Sequence, residues 1–342
     1  LAWDHHQQRG WIISQGWPAS TATGRDELAY ARLKKFMRQI ELPEAPTLPT
    51  QSSRIRRERL APQFPTRWSD AWTTNFSAES FRKSIADCVE YVQAGDVFQV
   101  NLAQRLLTHG RCGAAELYEH LRSVNPAPFS GYADFGRVQV VSVSPERFLK
   151  LENGTIEKRP IKGTRPRMSD PIADAGIANL LLNSNKDRSE NTMIVDLMRN
   201  DLSRVSAIGS VHVNSLCALE KHPYVWHLVS VIQSKLAASL SATDVIRASF
   251  PGGSISGAPK VRAMEIIAEL EPTARGPYCG SLGYISFAGD MDLSILIRTV
   301  TACDGWWQLP VGGGIVADSD PNLEEQETWH KAEGILRAID SL

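Results

Sequence analysis

Gly283-Tyr-Ile-Ser-Phe-Ala-Gly-Asp-Met-Asp-Leu-Ser-Ile-Leu-Ile-Arg-Thr-Val300 holds two predicted strands, at 283–287 and 294–300, with no helix between them. A Gly-rich turn is expected after them at Gly312-Gly-Gly314, and a closing helix from about Asn322 to the end. Upstream, Val97-Phe98-Gln99-Val100-Asn101-Leu102 reads as a strand, and 138–143 and 146–152 look extended. A helix precedes the first of these. Ser77 is its N-cap, Phe81, Ile85, Val89 and Val92 recur at helical spacing, and Gly95 stops it. Further helices are expected at 26–40, at 187–205 and from about Pro259, and a strand around Trp11-Ile12-Ile13. Strands and helices do not alternate strictly, so the order predicts an α+β fold rather than a doubly wound parallel sheet.

The bulk numbers narrow the function. With 342 residues and 42% hydrophobic side chains, the chain can bury a large core. Its net charge of -1 offers no basic excess for nucleic acid or an anionic membrane. Five scattered cysteines without a C-x-x-C pair argue against a zinc site or a disulfide framework, and suit a reducing, cytoplasmic setting. No apolar run approaches the roughly 18 residues of a membrane span. The chain opens on Leu1, in what reads like a strand already under way, as if an N-terminal portion were missing. Residues 41–70 are rich in Pro, Ser and Arg and read as a linker, with the Arg54–Arg59 charges on a solvated loop.

Pro251-Gly-Gly-Ser-Ile-Ser-Gly-Ala-Pro-Lys260 superficially suggests a phosphate-binding loop, but Ala258 and Pro259 separate the last Gly from Lys260. The carboxylates are more informative. Asp187 and Glu190 share a helical face that continues through the apolar Ile194 and Leu197. Glu324, Glu327 and Lys331 share a face of the last helix. Carboxylates on a core-facing stripe are costly unless paired or bound to a cation. Two such helices face to face would suit Mg2+, which usually takes one or two protein carboxylates. On spacing alone, two solvated, salt-bridged helix faces remain the stronger reading.

The motifs together change that balance. Phe98-Gln-Val-Asn-Leu, Ser144-Pro-Glu-Arg-Phe148, Pro160-Ile-Lys-Gly-Thr164, Asn191-Thr-Met-Ile-Val-Asp-Leu-Met-Arg-Asn-Asp201, Ser256-Gly-Ala-Pro-Lys260, Tyr278-Cys-Gly, Ile297-Arg-Thr299, Gly312-Gly-Gly-Ile-Val and Ser319-Asp-Pro occur in order over about three quarters of the chain. This set resembles the chorismate-utilising enzyme family, which includes anthranilate, aminodeoxychorismate, isochorismate and salicylate synthases. The resemblance implies two packed antiparallel β-sheets with helices outside and the active site in the cleft between them. It implies a catalytic domain over 76–342, with 1–75 as the remnant of an N-terminal subdomain plus linker. It implies Mg2+ held between chorismate and Glu190 and Glu327, with Asp187 and Glu324 as second carboxylates of that site. Arg298 matches the family's carboxylate-binding arginine, a role that suits a bidentate guanidinium. Gln99, Gly163, Thr164, Ser254, Tyr278, Gly312, Gly314 and Lys331 match the remaining substrate contacts.

Two positions bear on which reaction the resemblance implies. Members that add water carry a lysine base where this chain has Gln99, and an amide cannot act as a general base near neutral pH. Anthranilate synthases carry Ala where this chain has Lys162, whereas a lysine there resembles the nucleophile of the branch that aminates chorismate at C4. That implies attack of Lys162 on C2, loss of the C4 hydroxyl, addition of ammonia at C4 and departure of the lysine. Glu146 matches the general acid, and His227 is a secondary candidate near the leaving group. Ammonia would come from a separate glutamine amidotransferase subunit. The rivals are an anthranilate synthase component, which Lys162 opposes, and a non-catalytic paralogue, which would have no need to keep Glu146, Lys162, Glu190 and Glu327.

Overall fold

A computed structural model describes residues 1–41, 55–56, 59–222 and 224–342. Half of the expected linker, including Pro43, Pro46, Pro49 and Arg54, lies outside the described residues. The chain divides into two compact units, Leu1–Pro49 and Thr50–Leu342. In the first, β1 (Ala2–Asp4) pairs antiparallel with β2 (Arg9–Trp11), and α1 (Ala22–Glu41) follows. The strand expected at 11–13 therefore ends at Trp11. Arg32 of α1 donates to the carbonyls of Gln15 and Trp17 and ties the preceding loop to the helix.

The second unit starts with β3 (Phe64–Pro65) and β4 (Thr73–Thr74), then α2 (Ala78–Gln93) and β5 (Gln99–His109). Next come α3 (Ala114–Val124), β6 (Phe129–Asp134), β7 (Val138–Ser144), β8 (Arg147–Glu152), β9 (Thr155–Lys158) and β10 (Ile161–Pro166). Helices α4 (Pro171–Leu182) and α5 (Asn185–Ser203) precede the long pair β11 (His212–Lys221) and β12 (Val225–Lys235). After α6 (Ala242–Ser249), β13 (Gly257–Ala258) and α7 (Lys260–Leu270) come β14 (Ser281–Ile285), β15 (Met291–Ile295), β16 (Thr299–Cys303), β17 (Trp306–Ile315) and α8 (Pro321–Asp340).

These strands make two sheets, antiparallel at every pairing. The seven-stranded sheet runs β10-β12-β9-β8-β15-β14, with β11 also on β12; the eight-stranded sheet runs β3-β4-β5-β17-β16-β7-β6, with β13 also on β5. This is the α+β arrangement the order of elements predicted. Because β4 pairs with β5 and Trp72 is fully buried in the core, the larger unit begins before residue 76.

Helices cover the sheets through apolar stripes. Phe81, Ile85 and Cys88 of α2 and Ala263 and Ile266 of α7 pack on Val100, Leu102 and Ile315. Leu117 and Leu121 of α3 and Ile335, Leu336 and Ile339 of α8 pack on Leu106, Val141, Val300 and Leu309. On the other sheet, Ile194, Met198 and Leu202 of α5 and Val245 of α6 cover Leu149, Leu151, Ile156 and Ile232. Ser77 caps α2 as expected, its hydroxyl accepting from the Ser80 N–H at 3.0 Å.

Two expectations are corrected. The strand expected at 294–300 is two strands in different sheets. Ile295 still receives support from the Glu146 carbonyl, while the Arg298 carbonyl already accepts from Val143. Arg298 turns the chain with φ +51. Gly312-Gly-Gly314 is no turn but the end of β17, paired with Ala103, Leu102 and Asn101 of β5. At 314 a Cβ would stand 3.0 Å from the Gln99 amide carbon, so the glycine is required by close approach rather than by bending.

A buried charge cluster joins β9, α5 and α7. Lys158, only 1% exposed, contacts Asp201 Oδ2 at 3.1 Å, and Lys260 reaches Asp201 at 3.0 Å and the Ser249 carbonyl at 3.0 Å. Burial pulls the Lys158 ammonium down to about 8 against the attraction of Asp201.

Candidate active site

Lys162 sits on β10, opposite Leu228 of β12, where the register slips before Thr164 and leaves Gly163 as a bulge. Gly163 has φ +78, and a Cβ there would lie 2.9 Å from the Asp187 carboxyl carbon. Only glycine meets both constraints. The bulge aims the Lys162 ammonium across the gap between the sheets. Its Nζ donates to Gln99 Oε1 of β5 at 3.2 Å and lies 3.6 Å from Glu190 Oε2 of α5. The side chain is only 14% exposed, so the surface position usual for lysine does not apply. This contact between strands of the two sheets locates the cleft.

Glu146 lies between β7 and β8, partly buried, and accepts from the Ser254 hydroxyl at 3.4 Å. Burial pushes its carboxyl up to about 7, against Lys162, the Ser254 hydrogen bond and Lys331. That shift moves its titration from the ordinary carboxylate range towards neutrality. Arg298 is placed by the crossing between sheets. Burial lowers its guanidinium from the ordinary value, with Tyr278 and Glu327 opposing. Its side chain has no hydrogen bond or ion pair among the described residues. Tyr278 is 6% exposed, and burial raises its hydroxyl well above the ordinary value. His227 faces Thr164, its Nδ1 2.9 Å from Oγ1, and burial lowers its imidazole with help from His222.

The last helix forms another wall. Lys331 donates to the Gly312 carbonyl at 3.0 Å and pairs with Glu327 at 2.6 Å. Burial pushes the Glu327 carboxyl up, but Lys331 holds it below the ordinary value. Glu324 is buried and its carboxyl raised by that burial, while the Ser319 hydroxyl donates to it at 2.7 Å and Lys186 stands 3.9 Å away. Asp187 is taken by Arg165 at 3.0 Å. The four expected metal carboxylates are thus each neutralised by a different partner, and among the described residues no three His, Cys, Asp or Glu side chains gather into a metal-binding group. The donor chemistry still fits Mg2+. A Cβ at Gly313 would lie 3.4 Å from Glu324 Oε2, 3.6 Å from Lys331 Nζ and 4.0 Å from Glu327 Oε1, so both carboxylates face the space over that glycine together with the Lys331 amine. Arg165, which pairs with Asp187, and Lys186, which stands near Glu324, were not anticipated. No spacing rule links them to their partners, because they come from other elements.

The chain matches the family of chorismate binding enzymes over residues 4–337. It belongs to that family. Among relatives, aminodeoxychorismate synthase component 1 of Salmonella typhimurium is 50% identical over 284 residues, covering 83% of this chain and 63% of the relative. Anthranilate synthase component 1 of Thermus thermophilus is 44% identical over 266 residues, covering 78% of this chain and 58% of the relative. The crystal structure of anthranilate synthase component I from Streptococcus pneumoniae superposes with a TM-score of 0.82 at 32% identity, covering 97% of this chain and 71% of that one. The chain spans about three fifths of the length of the curated relatives it matches. Of the residues the resemblance singled out, Gln99 and Glu190 stand directly against Lys162. Among the described residues no helix is long and apolar enough to cross a membrane.

Proposed function

We propose that this chain converts chorismate and ammonia to 4-amino-4-deoxychorismate, with ammonia from a glutamine amidotransferase subunit in the cytoplasm. The observation that carries this reading is the Lys162 amine, held inside the cleft by Gln99 and Glu190. An amine so placed can attack the ring carbon C2 once it is unprotonated. Glu146 gives a proton to the C4 hydroxyl as it departs, its partly buried carboxyl being kept protonated to about pH 7. Ammonia then adds at C4, the bond to Lys162 breaks, and the lysine returns with its electron pair. Arg298, whose side chain makes no hydrogen bond among the described residues, suits one carboxylate of the substrate. Lys331 and the bare backbone at Gly312 and Gly314 border the same space. When bound, Mg2+ would supply positive charge opposite the ring carboxylate, held by Glu190 and Glu327 with Asp187 and Glu324 behind them.

Trapping with chorismate followed by intact-mass measurement tests the nucleophile. Wild type should gain a chorismate-derived adduct that Lys162→Ala lacks, and an adduct persisting in the alanine variant would rule the lysine out. Chromatography of products formed with ammonium and Mg2+ tests the outcome; 2-aminobenzoate as the product would favour the anthranilate synthase reading.

A further inference from the structure

Strand β5 carries two buried amides that the local structure leaves incompletely satisfied. Gln99 is fully buried and Asn101 is 6% exposed, and neither Gln99 Nε2 nor Asn101 Nδ2 has a hydrogen-bond partner among the described residues. The Gln99 oxygen is occupied by Lys162. The main chain of Asn101 is occupied too, its N–H donating to the Ser256 carbonyl at 2.9 Å and its carbonyl accepting from Arg275. Only its side-chain amide is left over.

Alternation along the strand shows which way that amide faces. Val100 and Leu102 point into the apolar layer beneath α2 and α7. Gln99, Asn101 and Ala103 therefore share the opposite face. On that face Gln99 touches Lys162, and Ala103 packs in the cluster that holds Ile255 and Tyr278. Asn101 lies between them, on the floor of the cleft. Across the ladder, its partner is Gly314 and that of Ala103 is Gly312, so no side chain from β17 covers the amide. A buried amide donor without a partner is destabilising, because its desolvation goes uncompensated. Two such donors lie on one face of β5, Gln99 against Lys162 and Asn101 opposite the bare Gly314.

We infer that Asn101 is a substrate-contacting residue, donating with Gln99 to an oxygen of an anionic, oxygen-rich ring substrate. The inference rests on the chorismate reading above and adds a contact to it. A neutral amide pair can read a hydroxyl or carboxylate oxygen without adding charge to a cleft that already holds Lys162, Arg298 and Lys331. Loss of such a donor leaves the substrate oxygen unpaired in a dry site, which discriminates strongly.

The test uses the full chain with chorismate and Mg2+ and reads two quantities, the chorismate-induced rise in Tm and kcat/KM with ammonium as nitrogen source. Asn101→Leu keeps the branched outline, is somewhat larger, and removes the donor. It should leave the ligand-free Tm unchanged or raised, while the chorismate-induced shift shrinks and kcat/KM falls ten- to a hundredfold. If the leucine variant does not fold, Asn101→Asp, which keeps the shape and exchanges donor for acceptor, reads the same loss. Binding and kcat/KM within twofold of wild type in the folded variant would show that Asn101 is met by water or by nothing, and would overturn the assignment alone. A wild-type chain with no chorismate-induced shift would instead overturn the substrate reading and this inference with it.

Discussion

Glu146→Gln separates a carboxyl placed for acid catalysis from one that is simply enclosed. Glutamine keeps the shape and can still accept from Ser254, but it cannot ionise. In the folded chain the carboxyl is pushed from 4.5 to about 7 by burial. A group whose folded value is raised contributes stability at low pH and loses it as pH rises through the folded value. Between pH 5 and 8 the wild type should therefore lose about 2.5 kcal/mol that the glutamine variant keeps. For a folded unit of this size that is a relative change in Tm of about 4 °C. The measurement is the difference in Tm between the two proteins at several pH values, which cancels every other titrating group to first order. Wild-type turnover should fall with the same midpoint near pH 7, and the variant should lose at least about a hundredfold in kcat. A Tm difference that stays constant from pH 5 to 8 would refute the claim that the cleft holds this carboxyl protonated.

Gly163→Ala places a Cβ against Asp187 on a backbone with φ +78, and should lower stability by about 1–3 kcal/mol in a urea melt while cutting turnover through displacement of Lys162. Arg298→Leu removes a guanidinium that makes no hydrogen bond or close ion pair among the described residues, so it should leave Tm within a few degrees of wild type and raise KM for chorismate at least tenfold in steady-state kinetics. Asp201→Asn leaves two buried lysines without their shared anion and should destabilise by about 3 kcal/mol or more, whereas Lys158→Met should be neutral or stabilising; urea melts of both variants read the contrast.

The α+β class, most elements and the family were legible because motif residues sit close together along the chain. Pro160-Ile-Lys-Gly-Thr164 reads as one string, and the bulge at Gly163 turns it into one arm of the cleft. What the sequence hid depends on partners far away in the chain. Asp187 is paired with Arg165 and Glu324 stands near Lys186, cations that the fold brings in from other elements. The glycines at 312 and 314 looked like a turn, because glycine marks both bends and close approaches, and only the position of Gln99 distinguishes them. The strand at 294–300 looked continuous because its residues are apolar throughout, and apolar runs do not reveal a change of sheet. The orphaned amide of Asn101 had no signature at all, since an unmade hydrogen bond is visible only in three dimensions.

The three-residue passage from β15 to β16 also gives the cleft a mechanical property. Its near end is anchored to the loop that carries Glu146 and its far end to β7, with a left-handed residue at the second anchor. So short a tether has no slack, and any rocking of one sheet against the other must twist the peptide at 298 and swing the guanidinium attached to it. The orientation of the Arg298 side chain and the angle between the two sheets are then coupled.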